Sequence, residues 1–457
     1  MAMLKVNLDL VKKYNVPGPR YTSYPPATQF TDEISAEVFR EKIRANNERE
    51  RGLSLYFHLP FCQTLCWFCG CTTVITTDQK KSGDYLQYLE REMDLVKPLV
   101  NPKRKAVQLH FGGGTPTFSL PDEIRRLGEM IRSRFAFAPD IEAGVEVDPR
   151  RLTREHLVAL REVGFNRTSM GVQDNDPVVQ KAVHRIQPFA MTKQVVEWMR
   201  ELGFYSVNID LIYGLPYQTP QSFAKTLEEV LSLKPDRFAV FNYAHVPWLK
   251  PAQKIFKADT FPSPETKLEL LKLTIERLTS EGYAYIGMDH FALANDELAV
   301  AQRQKTLQRN FQGYSTRGGT DIYAFGMSAI SQAEGFYWQN QKELPEYYAA
   351  LDAGKLPLHR GYALTEEDQI RRTTIMRLMC DLGLEYAGMS KLLGLNFQEH
   401  FAAELDSLDD MEADGLLVKT PADLIVTDVG RLLIRNIAMR FDAYATTRKE
   451  NRFSKTI

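Results

Sequence analysis

Residues 53–71 read LSLYFHLPFCQTLCWFCGC, and the fold is decided there. The first half, LSLYFHL (53–59), is a short apolar run rich in aromatic residues, which predicts a buried strand. The second half holds four of the chain's five cysteines, at 62, 66, 69 and 71. A strand that opens into a loop so dense in thiols demands a chemical explanation.

Working outward, the same rhythm returns. Runs of strand character recur at AVQLHF (106–111), EAGVEVD (142–148), RTSMGVQ (167–173), SVNIDLIYG (206–214) and RFAVFNYAH (237–245). Helical stretches lie between them; residues 84–96 place Leu86, Leu89, Met93 and Val96 at helical spacing. Alternating strand and helix implies βα units around a parallel sheet. Six in a row suit an α/β fold of the partial (β/α)6 barrel type better than a doubly wound sheet. Polar or glycine-rich groups stand at the strand ends: His58, GGGT (112–115), Glu146, Asp148, Gln173, Asp210 and Asn242 to His245. Singly, each is an ordinary turn residue. Together they mark the face of a barrel where a site is built.

Three regions follow. Residues 1–36 form an arm around the Pro- and Tyr-rich GPRYTSYPPATQF (18–30). Residues 37–347 form the barrel and its extension, and 348–457 a mostly helical domain. Several helices and a β-like wing (416–428) give the last region a winged-helix layout, which raises a DNA-binding regulator as one reading. Residues 361–440 carry 14 acidic and 8 basic side chains, the wrong sign for a phosphate backbone.

Cysteines spaced C-x3-C-x2-C can supply three thiolates to a [4Fe–4S] cube, leaving one iron free for a small chelating molecule. Zinc is the plainer alternative. It wants four ligands in a closed tetrahedron, usually from two paired elements, and no second Cys or His pair follows here. A redox C-x-x-C reading of Cys66 and Cys69 leaves Cys62 and Cys71 without a role. The cluster ligands are therefore Cys62, Cys66 and Cys69. Cys380 stands alone among C-terminal helices and reads as core.

This triad after a first strand, with GGGTPT (112–117) ending the second, resembles the radical S-adenosylmethionine (SAM) superfamily. The wider set PRYTSYP (19–25), the extra Cys71, VEVDPR (145–150), SMGVQD (169–174), NIDLIYGLP (208–216) and FNYAH (241–245) closely resembles the oxygen-independent coproporphyrinogen III oxidases along essentially the whole chain. The related haem chaperones, a carrier alternative, lack the arm and the extra cysteine. The resemblance implies that two propionates of coproporphyrinogen III are oxidatively decarboxylated to vinyls, giving protoporphyrinogen IX. A 5′-deoxyadenosyl radical from SAM would do this, with two SAM molecules consumed per product and a site able to hold both. An electron donor and a final acceptor are needed as partners.

By motif position, the resemblance assigns SAM contacts to Tyr56, Phe68, Gly113, Gly114, Thr115, Glu146, Gln173, Arg185, Asp210, Ala244 and Ile330. Glu146 and Asp210 would accept hydrogen bonds from ribose hydroxyls or the amino group, and Arg185 would pair with the methionine carboxylate. Phe68, Ala244 and Ile330 would form apolar walls. Tyr56, Cys71 and Glu146 are the candidate catalytic groups. Cys71 is either a hydrogen or proton donor toward a second SAM or the substrate, or a small thiol buried beside the cluster. For a substrate with four carboxylates, Arg20 and Tyr21 are the first candidates, with His290 and Arg309 behind them. Each has a structural reading too: Arg20 and Tyr21 can pin the arm, and Tyr56 and Ile330 can be core.

The bulk numbers agree with a large soluble enzyme. The 457 residues are 44% hydrophobic and carry a net charge of −1, so neither nucleic acid nor an anionic membrane is favoured. No apolar stretch is long enough to cross a bilayer, and the start has no secretory pattern. Reduced cysteines, a cytoplasmic location and a monomer are expected.

Overall fold

The computed structural model describes residues 8–32, 35–445, 453 and 455. Six parallel strands form its centre: β1 (Leu53–Leu59), β2 (Ala106–Gly113), β3 (Phe137–Val147), β4 (Arg167–Gln173), β5 (Ser206–Tyr213) and β6 (Arg237–Asn242). They pair in chain order, each with the next. Helices that include Lys80–Val96, Pro121–Arg132, Arg154–Val163, Phe189–Glu201 and Pro220–Ser232 connect them. Each turns one apolar stripe to the sheet. Pro121–Arg132 buries Ile124, Leu127 and Ile131, the i, i+3, i+7 pattern that one helix face provides.

The sheet is wider than the six expected strands. β7 (Tyr283–Gly287) and β8 (His290–Leu293) add antiparallel pairs beyond β6. On the other side β9 (Asp321–Phe325) pairs parallel with β1, and β10 (Ile330–Ala333), β11 (Phe336–Asn340) and β12 (Leu358–Ala363) follow antiparallel. The whole reads β12–β11–β10–β9–β1–β2–β3–β4–β5–β6–β8–β7, an open sheet and not a closed barrel. A boundary at residue 347 is therefore too early: β12 still belongs to the sheet, as its pairing with β11 requires.

Strand period decides what faces the site. Leu55, Phe57, Leu109, Phe111, Val145, Met170, Ile209 and Leu211 are buried in the main core. Their neighbours Tyr56, His58, His110, Glu146, Ser169, Asn208 and Asp210 point to the opposite, cavity side. A single slip of register would exchange core for site.

After Glu366–Asp381 come short helices and a three-stranded sheet in which Asp423–Val426 lies between Gly383–Glu385 and Leu417–Lys419. The wing is present; its first strand, three residues long, was not expected. The arm is part of this domain's core. Val11, Tyr14, Tyr21 and Tyr24 pack with Leu433, Ile434, Ile437 and Phe441.

Candidate functional site

The loop after β1 has almost no regular structure of its own, so other elements pin it residue by residue. Short strands Phe61–Cys62 and Val74–Ile75 pair with each other. His184 meets the Leu65 carbonyl at 2.9 Å, and its ring stacks on Trp67 at 4.9 Å. Gln253 Nε2 donates to the carbonyls of Phe68 (3.1 Å) and Ala244 (3.3 Å), tying the loop to the end of β6. Lys250 Nζ donates to the Cys71 carbonyl at 2.8 Å, and His58 Nε2 lies 2.9 Å from that of Thr72.

The glycine turn after β2 docks against this loop. Gly114 N–H donates to the Leu59 carbonyl (2.9 Å) and Thr115 N–H to that of Phe61 (3.0 Å). Thr115 Oγ1 stands 3.3 Å from Cys62 Sγ. A side chain at 114 would run into the Pro60 carbonyl, and Gly113 sits at φ +115°. Glycine is needed at both positions.

Cys62, Cys66 and Cys69 surround one cavity of about 180 Å³. Cys66 Sγ accepts from Arg150 Nη2 (3.3 Å) and Arg185 Nη1 (3.6 Å). Both guanidiniums also grip Asp148, at 2.6 and 3.2 Å, and against the pull of burial they hold its carboxyl down to about 2. A hydrogen bond from Cys71, with Lys250 and Arg185 nearby, outweighs burial and lowers the Cys69 thiol to about 6. Burial pushes Cys62 up to about 11. The site thus gathers fixed positive charge where anionic thiolates would sit.

Among the described residues, no three His, Cys, Asp or Glu side chains converge closely enough for one metal ion. Zinc, at Zn–S distances of ~2.3 Å, would draw its thiolates into contact with one another. Three thiols spread round a cavity, backed by cations, fit the corners of a larger iron–sulfur cube instead. Cys71 lines the same cavity.

Most assigned SAM contacts meet in that cavity: Phe68, Gly113, Gly114, Thr115, Glu146, Gln173, Arg185 and Asp210. Glu146 accepts from Gly113 N–H at 3.2 Å and lies 3.4 Å from His110 Nε2. Burial raises its carboxyl, but His110, that N–H and His58 more than compensate, keeping it below its ordinary value. Asp210 behaves oppositely. Burial and the neighbouring Glu146 raise it to about 7, despite hydrogen bonds from Asn208 (2.6 Å) and Ser169 (3.2 Å). One carboxylate is held ionised and its neighbour is poised to keep a proton near neutrality.

Glu146, Ser169 and Asp210 also line a second cavity of about 490 Å³ inside the half-barrel. Tyr56 and Ile330 are there and not beside the cysteines. Tyr56 stacks on His110 at 5.8 Å, with its hydroxyl 3.3 Å from His58 Nδ1. His290 lines this cavity with Nδ1 unpartnered among the described residues; burial first, then Arg309, lowers its ring to about 3.

Four further residues lie outside the two cavity walls. Ala244 follows β6, with its carbonyl accepting from Gln253 Nε2. Tyr21 is buried between arm and C-terminal domain, donating to Asp442 at 2.7 Å. Arg20 pairs with Asp289, and its guanidinium lies over Phe241, whose ring lines the inner cavity. Arg309 lines a separate groove and donates to the carbonyls of Arg20 and Tyr21. Two contributors escaped the sequence reading, Arg150 and Gln253. VEVDPR carried the first as a motif; Gln253 lies in a loop with no signal.

An open half-barrel with three cysteines in the loop after its first strand defines a radical SAM protein, and residues 56–230 match the Radical SAM superfamily model. Residues 364–433 match the HemN C-terminal domain. The oxygen-independent coproporphyrinogen III oxidase of Escherichia coli K12 is 48% identical, with 99% of this chain and 98% of that protein covered. Its counterpart from Synechocystis is 45% identical, with the same coverage. The solved coproporphyrinogen III oxidase (HemN) of E. coli, described as a radical SAM enzyme, superposes with a TM-score of 0.92 at 47% identity, covering 97% of this chain and all of that one. This chain belongs to the oxygen-independent coproporphyrinogen III oxidase family. The family is one of radical SAM oxidoreductases, which use a [4Fe–4S] cluster and SAM.

Proposed function

We propose that this chain converts two propionates of coproporphyrinogen III to vinyl groups, giving protoporphyrinogen IX without oxygen. One observation carries the reading: the cysteine cavity shares Glu146, Ser169 and Asp210 with an inner cavity large enough for a second reactant. When bound, the cluster and SAM supply a 5′-deoxyadenosyl radical able to take a hydrogen atom from a propionate carbon.

The chain's own residues position and exclude. Cys62, Cys66 and Cys69 would hold the cluster, with Arg150 and Arg185 balancing its charge. Gly113, Gly114 and Thr115 leave room for the methionine end of SAM. Glu146, kept ionised, accepts hydrogen bonds from a cationic or hydroxyl group; Asp210, protonated near neutrality, can donate one. Phe68 walls one side, and Tyr56 and Ile330 line the chamber beyond. That chamber supports a second SAM or the substrate. Each propionate loses one hydrogen atom, one electron and carbon dioxide, so an electron donor and an acceptor are partners. We place the enzyme in the cytoplasm as a monomer; among the described residues no helix is long and apolar enough to cross a membrane.

The test is anaerobic turnover of the reconstituted protein with reductant, SAM, coproporphyrinogen III and a cell extract as electron acceptor. Protoporphyrinogen IX should appear with two 5′-deoxyadenosines per product. Deoxyadenosine without decarboxylation would remove the substrate from the proposal, and none at all would overturn it.

A further inference from the structure

A groove of about 630 Å³ lies between the start of β9 and the C-terminal wing, away from the cysteine loop. Its acids are all engaged. Asp321 pairs with Arg104 (2.5 Å), Glu334 with Arg51 (2.7 Å) and Asp381 with Arg377 (3.2 Å). Glu385 caps the helix Tyr386–Leu393, accepting from the N–H groups of Ala387 and Gly388.

Its cations are not balanced in the same way. Among the described residues, Arg309, Arg372 and Lys305 line the groove without a salt bridge, Arg372 acting on Asp321 and Lys305 on Asp381 only at longer range. Arg309 is buried, bonded only to backbone carbonyls, and its Nη1 has no partner. Arg372 is half-buried against the Tyr337 ring at 5.4 Å. Opposite them, Met376, Leu384, Met389 and Leu392 form an apolar wall, with Leu392 59% exposed. Positive charge left without a salt bridge in a partly enclosed groove attracts anions, and an apolar wall selects those with a greasy body.

We propose that this groove is a second binding site, for an amphipathic polycarboxylate. It would take the chemical class to which the proposed substrate and product belong, and in that choice of class it rests on the proposed function. The carboxylates meet Arg372, Lys305 and Arg309; the apolar body lies on the methionine and leucine side chains. The site is distinct from the inner cavity, which none of these seven side chains lines.

Coproporphyrin III, the air-stable oxidised form of the substrate, is the probe, titrated calorimetrically into the full-length protein. Arg372→Glu reverses a central charge; Leu392→Glu puts a carboxylate on an exposed rim position that the fold does not need. The expected result is one equivalent weakened at least about tenfold in both variants, the loss of one charge-assisted contact, with any equivalent in the inner cavity unchanged. Wild-type titrations from both folded variants would overturn the proposal. So would full displacement of that equivalent by equimolar ATP, since the groove would then read charge alone. Both variants should decarboxylate at the wild-type rate. A wild-type protein that fails to decarboxylate sinks the proposed reaction while the groove titration remains readable.

Discussion

Gly114 shows how little room the site leaves. The carbonyl of Pro60 occupies the space a Cβ would need, and backbone cannot swing aside as a side chain can. Gly114→Ala should therefore push the glycine turn off the cysteine loop. We expect reconstituted iron per chain to fall well below wild type, measured by visible absorbance, with a stability loss of ~1–3 kcal/mol in urea titrations. Cys62→Ala should abolish both turnover and deoxyadenosine formation, because three thiolates are the minimum set for the cube. At this scale the sequence was informative where motif and contact coincide. The triad, Gly113, Gly114, Thr115, Glu146 and Asp210 line one cavity, at the ends of parallel strands. Tyr21 could be read as packing or as a ligand contact, because an aromatic hydroxyl near a basic residue looks alike in sequence whether it faces a ligand or a buried aspartate such as Asp442. Gln253 was invisible, since its importance lies in two carbonyls that the chain brings together only in three dimensions.

Between elements, buried Glu92 on the helix Lys80–Val96 acts as a clamp. It accepts from Tyr347 Oη (2.6 Å), Gly326 N–H (2.8 Å) and Asn340 Nδ2 (2.6 Å), joining two helices, the turn after β9 and the end of β11. Tyr85 on the same helix donates to the His58 carbonyl at 2.9 Å, so the clamp reaches the site. Burial outweighs these hydrogen bonds and raises Glu92 from 4.5 to about 7. A carboxyl raised on folding contributes stability that is full below its ordinary value and is lost as pH rises through the folded value. Wild-type stability should fall between pH 4.5 and 7 by up to about 3 kcal/mol from this group, and Glu92→Gln should flatten that part of the profile. Denaturant titrations at pH 5 and 8 measure it; equal slopes in the two proteins would refute the assignment. The six parallel strands were legible as apolar runs recurring in step with helical stretches. β9 and β11 were not, since they fall outside that strand–helix rhythm although all five residues of each are buried.

Across the whole molecule, the arm and the C-terminal domain form one packed unit on the catalytic sheet. Arg435 Nε donates to the Pro19 carbonyl (3.0 Å), Asn436 Nδ2 to that of Tyr14 (2.7 Å), and Ala443 N–H to Tyr24 Oη (3.1 Å). Tyr21→Phe removes the bond to Asp442 and should cost ~1–3 kcal/mol, with melting followed by circular dichroism. The Michaelis constant for coproporphyrinogen III should not move, because Tyr21 lines neither cavity. A changed constant with unchanged stability would return Tyr21 to the ligand. Sequence could separate an arm from a helical domain by composition, but not see that they share a core, since nothing local marks contacts across such a distance.

That shared core sets an order on biosynthesis. Tyr21 and Asp442 are 421 residues apart, so at 5–20 residues per second the arm leaves the ribosome roughly 20–80 s before its partner is made. During translation its buried tyrosines have nowhere native to go, and the barrel strands emerge while the arm waits. Helices synthesised late close the molecule around a segment made early, so a nascent chain stalled before residue 433 carries its cysteine loop without that enclosure.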